Sequence, residues 1–285
     1  MAIPGLLYFL VFRYIPMLGI IIAFKEENIF KSIWETSFVG LKYFKNFLHY
    51  PVFWRIFRNT MIIAIYDIVF SFPGPIIVAL LLNEVRRKYF KKTLQTVLYL
   101  PHFLSWVIVA GIFMSALSPS SGIVNQIMGL FGIEPIYFMA KPKYIRAILI
   151  SSGIWKELGW GTIIYTAAIA GIDQNLYEAA YVDGAGKLRQ AMVITIPGIL
   201  STIVVMLLLR IGHILDFGFD RTYVFMNGLN SELIDIFDTY IYRVGLVNSQ
   251  FSYTTAIGMF KSVIGMTLLL SANKISKSLT EKSLF

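Results

Sequence analysis

Six apolar stretches dominate this chain and limit what it can fold into. They cover residues 2–24, 60–83, 94–117, 145–172, 198–215 (or on to 219) and 256–272. Each is near the roughly 20 residues that a helix needs to cross the hydrocarbon core of a bilayer. The polar remainder cannot cover a water-facing surface. Only 14% of the 285 residues are charged, against roughly 25% in soluble domains. The fold class expected is an all-α membrane protein with six transmembrane helices. The first stretch does not read as a signal peptide: it has no basic leading region, is too long, and carries Arg13 in its middle. It opens at once on apolar residues, so a short tail ahead of it is expected. Arg13 either lines a path or snorkels.

Lys and Arg set the orientation. The short connection 84–95 holds Arg86, Arg87, Lys88, Lys91 and Lys92. With that loop in the cytoplasm, alternation puts 173–197 and both termini there too. Segments 84–95, 173–197 and 273–285 then carry Lys and Arg at about twice the density of 25–58, 119–146 and 220–254. The net charge of +9 does not point to nucleic acid, because no basic patch interleaved with aromatics stands out. Phospholipid headgroups are the anionic neighbours. Cysteine is absent, which removes disulfides, thiolate metal sites and cysteine nucleophiles.

Two outer segments have character. Residues 38–60 mix aromatic and basic residues and read as an amphipathic helix at the membrane interface, or as a simple anchor. Residues 220–254 read as a second outer loop, with a short helix and turn at 238–246.

The segment 173–197 is polar and lies between spans four and five. Asp173 is placed to cap a helix over 174–182. Asp183-Gly184 is a turn pair, and Asp183 can cap the helix that follows. Ala179 and Ala180 are small, Gly184 and Gly186 let the backbone approach a neighbour, and Pro197 fits the first turn of the next span. Such a helix–turn–helix suits docking into a partner's cleft; the alternative is an ordinary loop.

The spacing here resembles the cytoplasmic signature of the membrane subunits of binding-protein-dependent ABC importers. Glu178-Ala179-Ala180 is followed after three residues by Gly184, after nine more by Ile194, and then by Ile196-Pro197. The family has Leu where Ile196 stands. "FVGLKYFKNF", "NTMIIA", "YLPHFLSWVIVAGI" and "IWKELGWGTIIYTAAIAGID" extend the resemblance over nearly the whole chain, to the branch of sugar permeases for oligosaccharides and polysaccharide fragments. It implies a type I permease fold in a bacterial cell membrane. A first helix and outer loop would span 1–55, a five-helix core 56–273 with its coupling loop at 173–197, and a cytoplasmic tail 274–285. It further implies that 173–197 is a coupling helix seated in an ATPase subunit. Glu178 would bear on the ATPase, Ala179 and Ala180 would permit close approach, and Asp183, Gly184 and Gly186 would form the turn. Partners implied are ABC ATPase subunits carrying ATP-Mg, a second permease forming a heterodimer, an external solute-binding lipoprotein and an oligosaccharide.

No enzyme is expected in the chain itself. "DGAGKLRQ" has Gly186-Lys187, but Leu188 follows where a phosphate loop needs Ser or Thr. The three histidines are far apart and lack partner carboxylates at metal spacing. Charges inside spans are costly and mark partners, cavities or paths. Span four carries Trp155, Lys156, Glu157 and Trp160; Lys156 and Glu157, being adjacent, should point apart. Arg210, His213, Asp216, Phe217 and Asp220 fall on one stripe if span five continues as a helix. That stripe lines a hydrated path or holds internal ion pairs, such as Arg210 with Asp216 or Glu157. Trp106, Trp155, Trp160 and Tyr165 suit stacking on sugar rings, or plain packing. A gradient-driven transporter would use Asp216 or Glu157 as its ion site; a membrane enzyme would want an acidic metal pair, and none stands at convincing spacing.

Overall fold

With no water to bond in the bilayer core, a backbone there must satisfy its own amides, and helices do so locally. The computed structural model describes residues 3–28, 30–216 and 218–280. Among them it forms helices, loops and a single isolated antiparallel bridge between Lys25 and Phe38. Three helices among the described residues are long and apolar enough to cross a membrane: α1 (Ile3–Phe24), α3 (Pro51–Glu84), and a last helix over Phe251–Ser278. Between the first two lies α2 (Lys42–His49). The amphipathic stretch expected over 38–60 is thus divided. Tyr50 is extended, and Pro51 starts a new helix at the position where a missing amide costs nothing.

The apolar stretch 94–117 is not one straight span, which corrects the sequence expectation. It is split into α4 (Lys88–Phe103) and α5 (Trp106–Ala116), bent by 103°. Leu104 is extended there, and Ser105 caps α5 by accepting the Ile108 amide at 3.3 Å. A short α6 (Ile123–Leu130) leads to α7 (Pro142–Ala170), 29 residues long. Next come α8 (Gln174–Val182), α9 (Lys187–Gly198) and α10 (Leu200–Gly212). The chain between α9 and α10 bends by 63°, so Pro197 ends a helix segment beside a bend instead of opening span five. The segment after α10 holds α11 (Phe219–Phe225), α12 (Ser231–Ile234) and α13 (Phe237–Ile241), the last running into a π-helical turn over Tyr242–Val247. Helix α14 (Phe251–Thr280) closes the described chain. Lys274 and Lys277 ride on it, and Lys282 lies outside the described residues.

Proline leaves a regular mark. In α1, α3 and α9 the residue just before Pro16, Pro73 or Pro197 donates its amide five residues back: Ile15 to Leu10, Phe72 to Asp67, Ile196 to Ala191. The proline ring clashes with the carbonyl four residues before it, and widening the helix by one residue relieves this.

The segment 220–254 is packed into the core. Phe225, Ile234 and Ile236 are buried with Ile63 of α3, Ala110 of α5 and Leu149 of α7. Phe237, Tyr240 and Val244 pack with Phe47, Phe53, Ile56 and Ile257. Polar ties fix the same region: Asn59 Nδ2 donates to Glu232 O at 2.9 Å and Asp235 O at 3.2 Å, while Arg146 Nη2 donates to Asn59 Oδ1 at 2.9 Å. The chain needs this segment because α3, α5 and α7 leave an apolar gap that short helices fill. Elsewhere α7 crosses α4 so closely that a Cβ on Gly159 would stand 2.0 Å from Leu98 O.

Candidate functional site

Two places concentrate side chains that a plain bundle does not need. The first is the segment after α7. Asp173 caps α8 as expected, accepting the Asn175 amide at 3.0 Å. The helix ends in a Schellman turn: Ala185 N donates to Ala180 O at 2.8 Å and Gly184 N to Tyr181 O at 3.0 Å. Gly184 sits at φ +76°, a left-handed conformation that only glycine adopts without strain. Asp183 is the C-cap of α8, and Gly186, not Asp183, occupies the N-cap of α9. The capping expectation is corrected because the left-handed turn uses residues 184 and 185 before the next helix can begin.

This turn is fastened to the bundle. Tyr177 Oη bonds Thr195 Oγ1 at 2.9 Å, Gln190 Nε2 donates to Ala185 O at 3.0 Å, and Lys187 Nζ lies 3.3 Å from Glu84 Oε2 at the end of α3. Its outward face is open. Glu178 and Ala179 are exposed, Ala180 is half-buried, and Tyr181 and Val182 are 76% and 85% exposed. A rigid turn that presents large apolar side chains beside a carboxylate has the make-up of a protein-contact surface.

The second place is a polar cluster where α3, α4, α5, α7, α10 and α11 meet. Its centre is Asp67, buried on α3 at the widened turn before Pro73. Arg221 of α11 grips it with both nitrogens, Nη1–Oδ1 at 3.1 Å and Nη2–Oδ2 at 2.6 Å. Arg210 Nη2 lies 4.0 Å from Oδ1. Trp106 carries two cations near its ring, Lys156 Nζ at 5.6 Å and Arg221 Cζ at 5.9 Å. Lys156 is buried and donates to His102 O at 2.5 Å. His102 Nδ1 lies 2.8 Å from Glu157 Oε2, and its ring stacks on Trp160 with centroids 4.3 Å apart.

Several expectations change here. Lys156 and Glu157 converge, Nζ–Oε1 3.6 Å, because both reach the bend between α4 and α5. Arg210 lies within ion-pair reach of Asp67, a partner the sequence reading did not name. The single stripe on span five does not exist: the helix ends at Gly212, and 213–216 form a turn. His213 and Asp216 are exposed and 3.9 Å apart. Asp216 instead meets Lys261 of α14 at 2.7 Å, and Lys261 also bonds Asp238 of α13. A cavity of about 580 Å³ opens beside this trio, lined by Ile20, Asp216, Thr254, Lys261 and Ser262. A smaller one of about 190 Å³ is lined by Ser71, Pro75, Gly161, Tyr165, Arg210 and His213. Tyr165 is otherwise packed among Ala79, Ile169 and Ile199. Trp155 is half-open and meets Phe113 edge-on at 6.1 Å. Arg13 is exposed on α1. Phe217 lies outside the described residues. Sequence reasoning missed Asp67, Arg221 and the His102–Glu157 pair. The signal available for Asp67 was a lone carboxylate within an apolar stretch.

Helices that cross a membrane, a broken span, a buried charge cluster and an outward-facing rigid turn define the membrane-embedded component of a larger transport assembly. The family described as "Binding-protein-dependent transport system inner membrane component" matches residues 71–281, and the chain belongs to it. Protein LplB of Bacillus subtilis (strain 168) is 47% identical over 100% of this chain and 90% of its own length. The polygalacturonan/rhamnogalacturonan transport system permease protein YteP of the same organism is 45% identical over 100% of this chain and 89% of its own. Among solved structures, a chain of the bacterial alginate ABC transporter in complex with alginate pentasaccharide-bound periplasmic protein superposes with a TM-score of 0.92. It is 39% identical and is matched over 100% of this chain and 95% of its own.

Proposed function

We propose that this chain is one of two membrane subunits of an ATP-driven importer for acidic oligosaccharides. Six spans cross the membrane: α1, α3, the α4–α5 pair, α7, the α9–α10 pair and α14, with both termini in the cytoplasm. At a rise of 1.5 Å per residue, α7 is about 43 Å long and spans despite its charges. The core is 56–273, with 1–55 ahead of it and 274–285 as the cytoplasmic end. Glu178, Ala179, Ala180, Asp183, Gly184 and Gly186 form the contact with an ATPase subunit, which binds ATP-Mg. Trp155, Lys156, Glu157, Trp160, Tyr165, Arg210, His213, Asp216 and Phe217 line or flank the path. A second, different permease completes the path, and an external binding lipoprotein delivers the sugar.

The observation that carries this reading is the turn at 182–186, fastened to the bundle while Tyr181 and Val182 stay largely exposed. The acidic class draws on the polygalacturonan and alginate named for the relatives and on charge: Lys156, Arg210 and Arg221 outnumber Asp67 and Glu157 in the cluster. The test is a pull-down of the tagged chain from its native membrane, with identification of what accompanies it. An ATPase, a second permease and a binding protein are expected. A chain that purifies alone and drives uptake in ATP-free vesicles from an ion gradient would overturn the reading in favour of a secondary transporter.

A further inference from the structure

The break in helix between α10 and α11 is tied on both sides to one carboxylate. Asp67 belongs to α3, which runs unbroken past the site, and it is 4% exposed. Beyond the break, Arg221 of α11 holds it in the two-point geometry described above; before the break, Arg210 of α10 stands 4.0 Å away. Ser71 Oγ also donates to Oδ1 at 3.1 Å. Arg221 is pressed against α7, where a Cβ on Gly153 would stand 2.4 Å from Nη1. Between the two arginines the chain leaves helix, and Gly218 takes φ +108°. Lys261 fixes the same break from the other side through Asp216 and Asp238.

A buried carboxylate among spans is too costly to leave without a cation. If α11 moves away from α3, Arg221 goes with it, and Asp67 needs another partner. Arg210 is within reach and sits on α10, on the other side of the break. We propose that Asp67 is a positioning residue of the transport cycle. It clamps α11 through Arg221 in the arrangement seen here, and it passes to Arg210 when α11 swings away. The clamp rests on the importer reading.

The test uses the complete importer in nanodiscs, with its ATPase, second permease and binding protein loaded with oligogalacturonate. ATP hydrolysis is measured with and without the loaded binding protein, and uptake in proteoliposomes. Stimulation of the wild type checks the importer reading itself; if no binding protein stimulates it, that reading fails and not the clamp alone. Asp67→Asn should raise unstimulated hydrolysis several-fold, bring the stimulated-to-unstimulated ratio close to one, and abolish uptake. The exchange Asp67→Arg with Arg221→Asp rebuilds a buried pair, so the low unstimulated rate should return. Uptake should not return, because the carboxylate now rides on α11 and cannot be handed over. A wild-type ratio in Asp67→Asn overturns the clamp, and full uptake in the exchange overturns the hand-over. Should Asp67→Asn not assemble, Asp67→Glu and Arg221→Lys keep both charges but alter the two-point geometry. Each should shift the ratio, and an unchanged ratio in both overturns the proposal.

Discussion

The turn at 182–186 and the turn at 213–216 flank span five, and a left-handed glycine, Gly184 or Gly218, goes with each. Their side chains behave in opposite ways. Around Gly184 the strong groups point outward, and Tyr181, Val182 and Leu188 are exposed. Around Gly218 the charges find partners within the chain: Arg221 on Asp67, Lys261 on Asp216 and Asp238. Large apolar groups left open at a rigid turn suit contact with another protein. Charges paired across three or four helices act on the chain's own shape. On the proposed reading, the first would receive motion from the ATPase and the second would convert it.

The largest effect should come from breaking the packing that both regions share. Gly159→Leu puts a side chain where even a Cβ would be 2.0 Å from the Leu98 carbonyl. Helices α4 and α7 must separate, at a cost of about 3 kcal/mol. The variant should fail to accumulate in the membrane, as read by immunoblot of washed membranes; normal levels would mean that the crossing gives way easily.

Next in size is a change confined to the turn. Gly184→Val forces a β-branched residue into the left-handed region, a strain of about 1–3 kcal/mol. The turn should lose its shape while the bundle survives. Membrane levels should stay near wild type, and uptake should fall at least about tenfold. Glu178→Lys should uncouple in the same way without backbone strain. Wild-type stimulated hydrolysis in the assembled Glu178→Lys transporter would remove the carboxylate from the contact. If Gly184→Val lowers membrane levels as far as Gly159→Leu does, the turn is part of the fold's foundation and the contrast fails.

How much of each region could be read in the sequence follows from the same difference. The turn's determinants are local. Asp173, Glu178, Gly184 and Pro197 stand at fixed spacings within one short stretch, and the helix over 174–182 forms where the capping rule puts it. The break's determinants are not local. Asp67 and Arg221 meet across 154 positions, and His102 meets Glu157 across 55. Nothing in their neighbours announces these pairings. Periodicity also misled: the stripe through Arg210, His213 and Asp216 assumed a continuous helix, whereas the chain leaves helix at His213 and takes a left-handed residue at Gly218. The bend between α4 and α5 was hidden for a similar reason. Leu104 and Ser105 interrupt the helix inside a stretch whose hydropathy looks uniform.

A smaller effect should sharpen the comparison within the cluster. Lys156 is buried between His102 O, Glu157 and the Trp106 ring. Lys156→Gln keeps a donor for the carbonyl and removes the charge. Uptake of oligogalacturonate should fall several-fold relative to a neutral oligosaccharide of the same length, with docking of the ATPase unchanged in a pull-down. Trp155 and Asp216 variants belong in the same profile. Equal losses for charged and neutral sugars would return all three to a packing role.

The smallest expected effect lies between the end of α1 and the start of α14, where a half-buried carboxylate belongs to neither pattern. Glu27 follows α1, and its Oε1 accepts the Ser252 amide at the start of α14 at 3.3 Å. Burial pushes its carboxyl above the usual value of 4.5, and the backbone bonds from Ser252 and Phe251 only partly oppose this. The folded chain therefore holds this proton more tightly than the unfolded chain does. The charge costs stability as pH rises past 4.5 and through the raised value, and below 4.5 both states are protonated and the cost is gone. Glu27→Gln keeps an oxygen to accept the Ser252 amide and carries no charge. It should melt about 1–2 °C above wild type at pH 7 in detergent, and the two curves should meet near pH 4. A Gln variant that melts lower at pH 7 would mean that the amide bonds to the carboxylate outweigh its burial. Glu27 would then act as a fastener between α1 and α14, like the charges around the break.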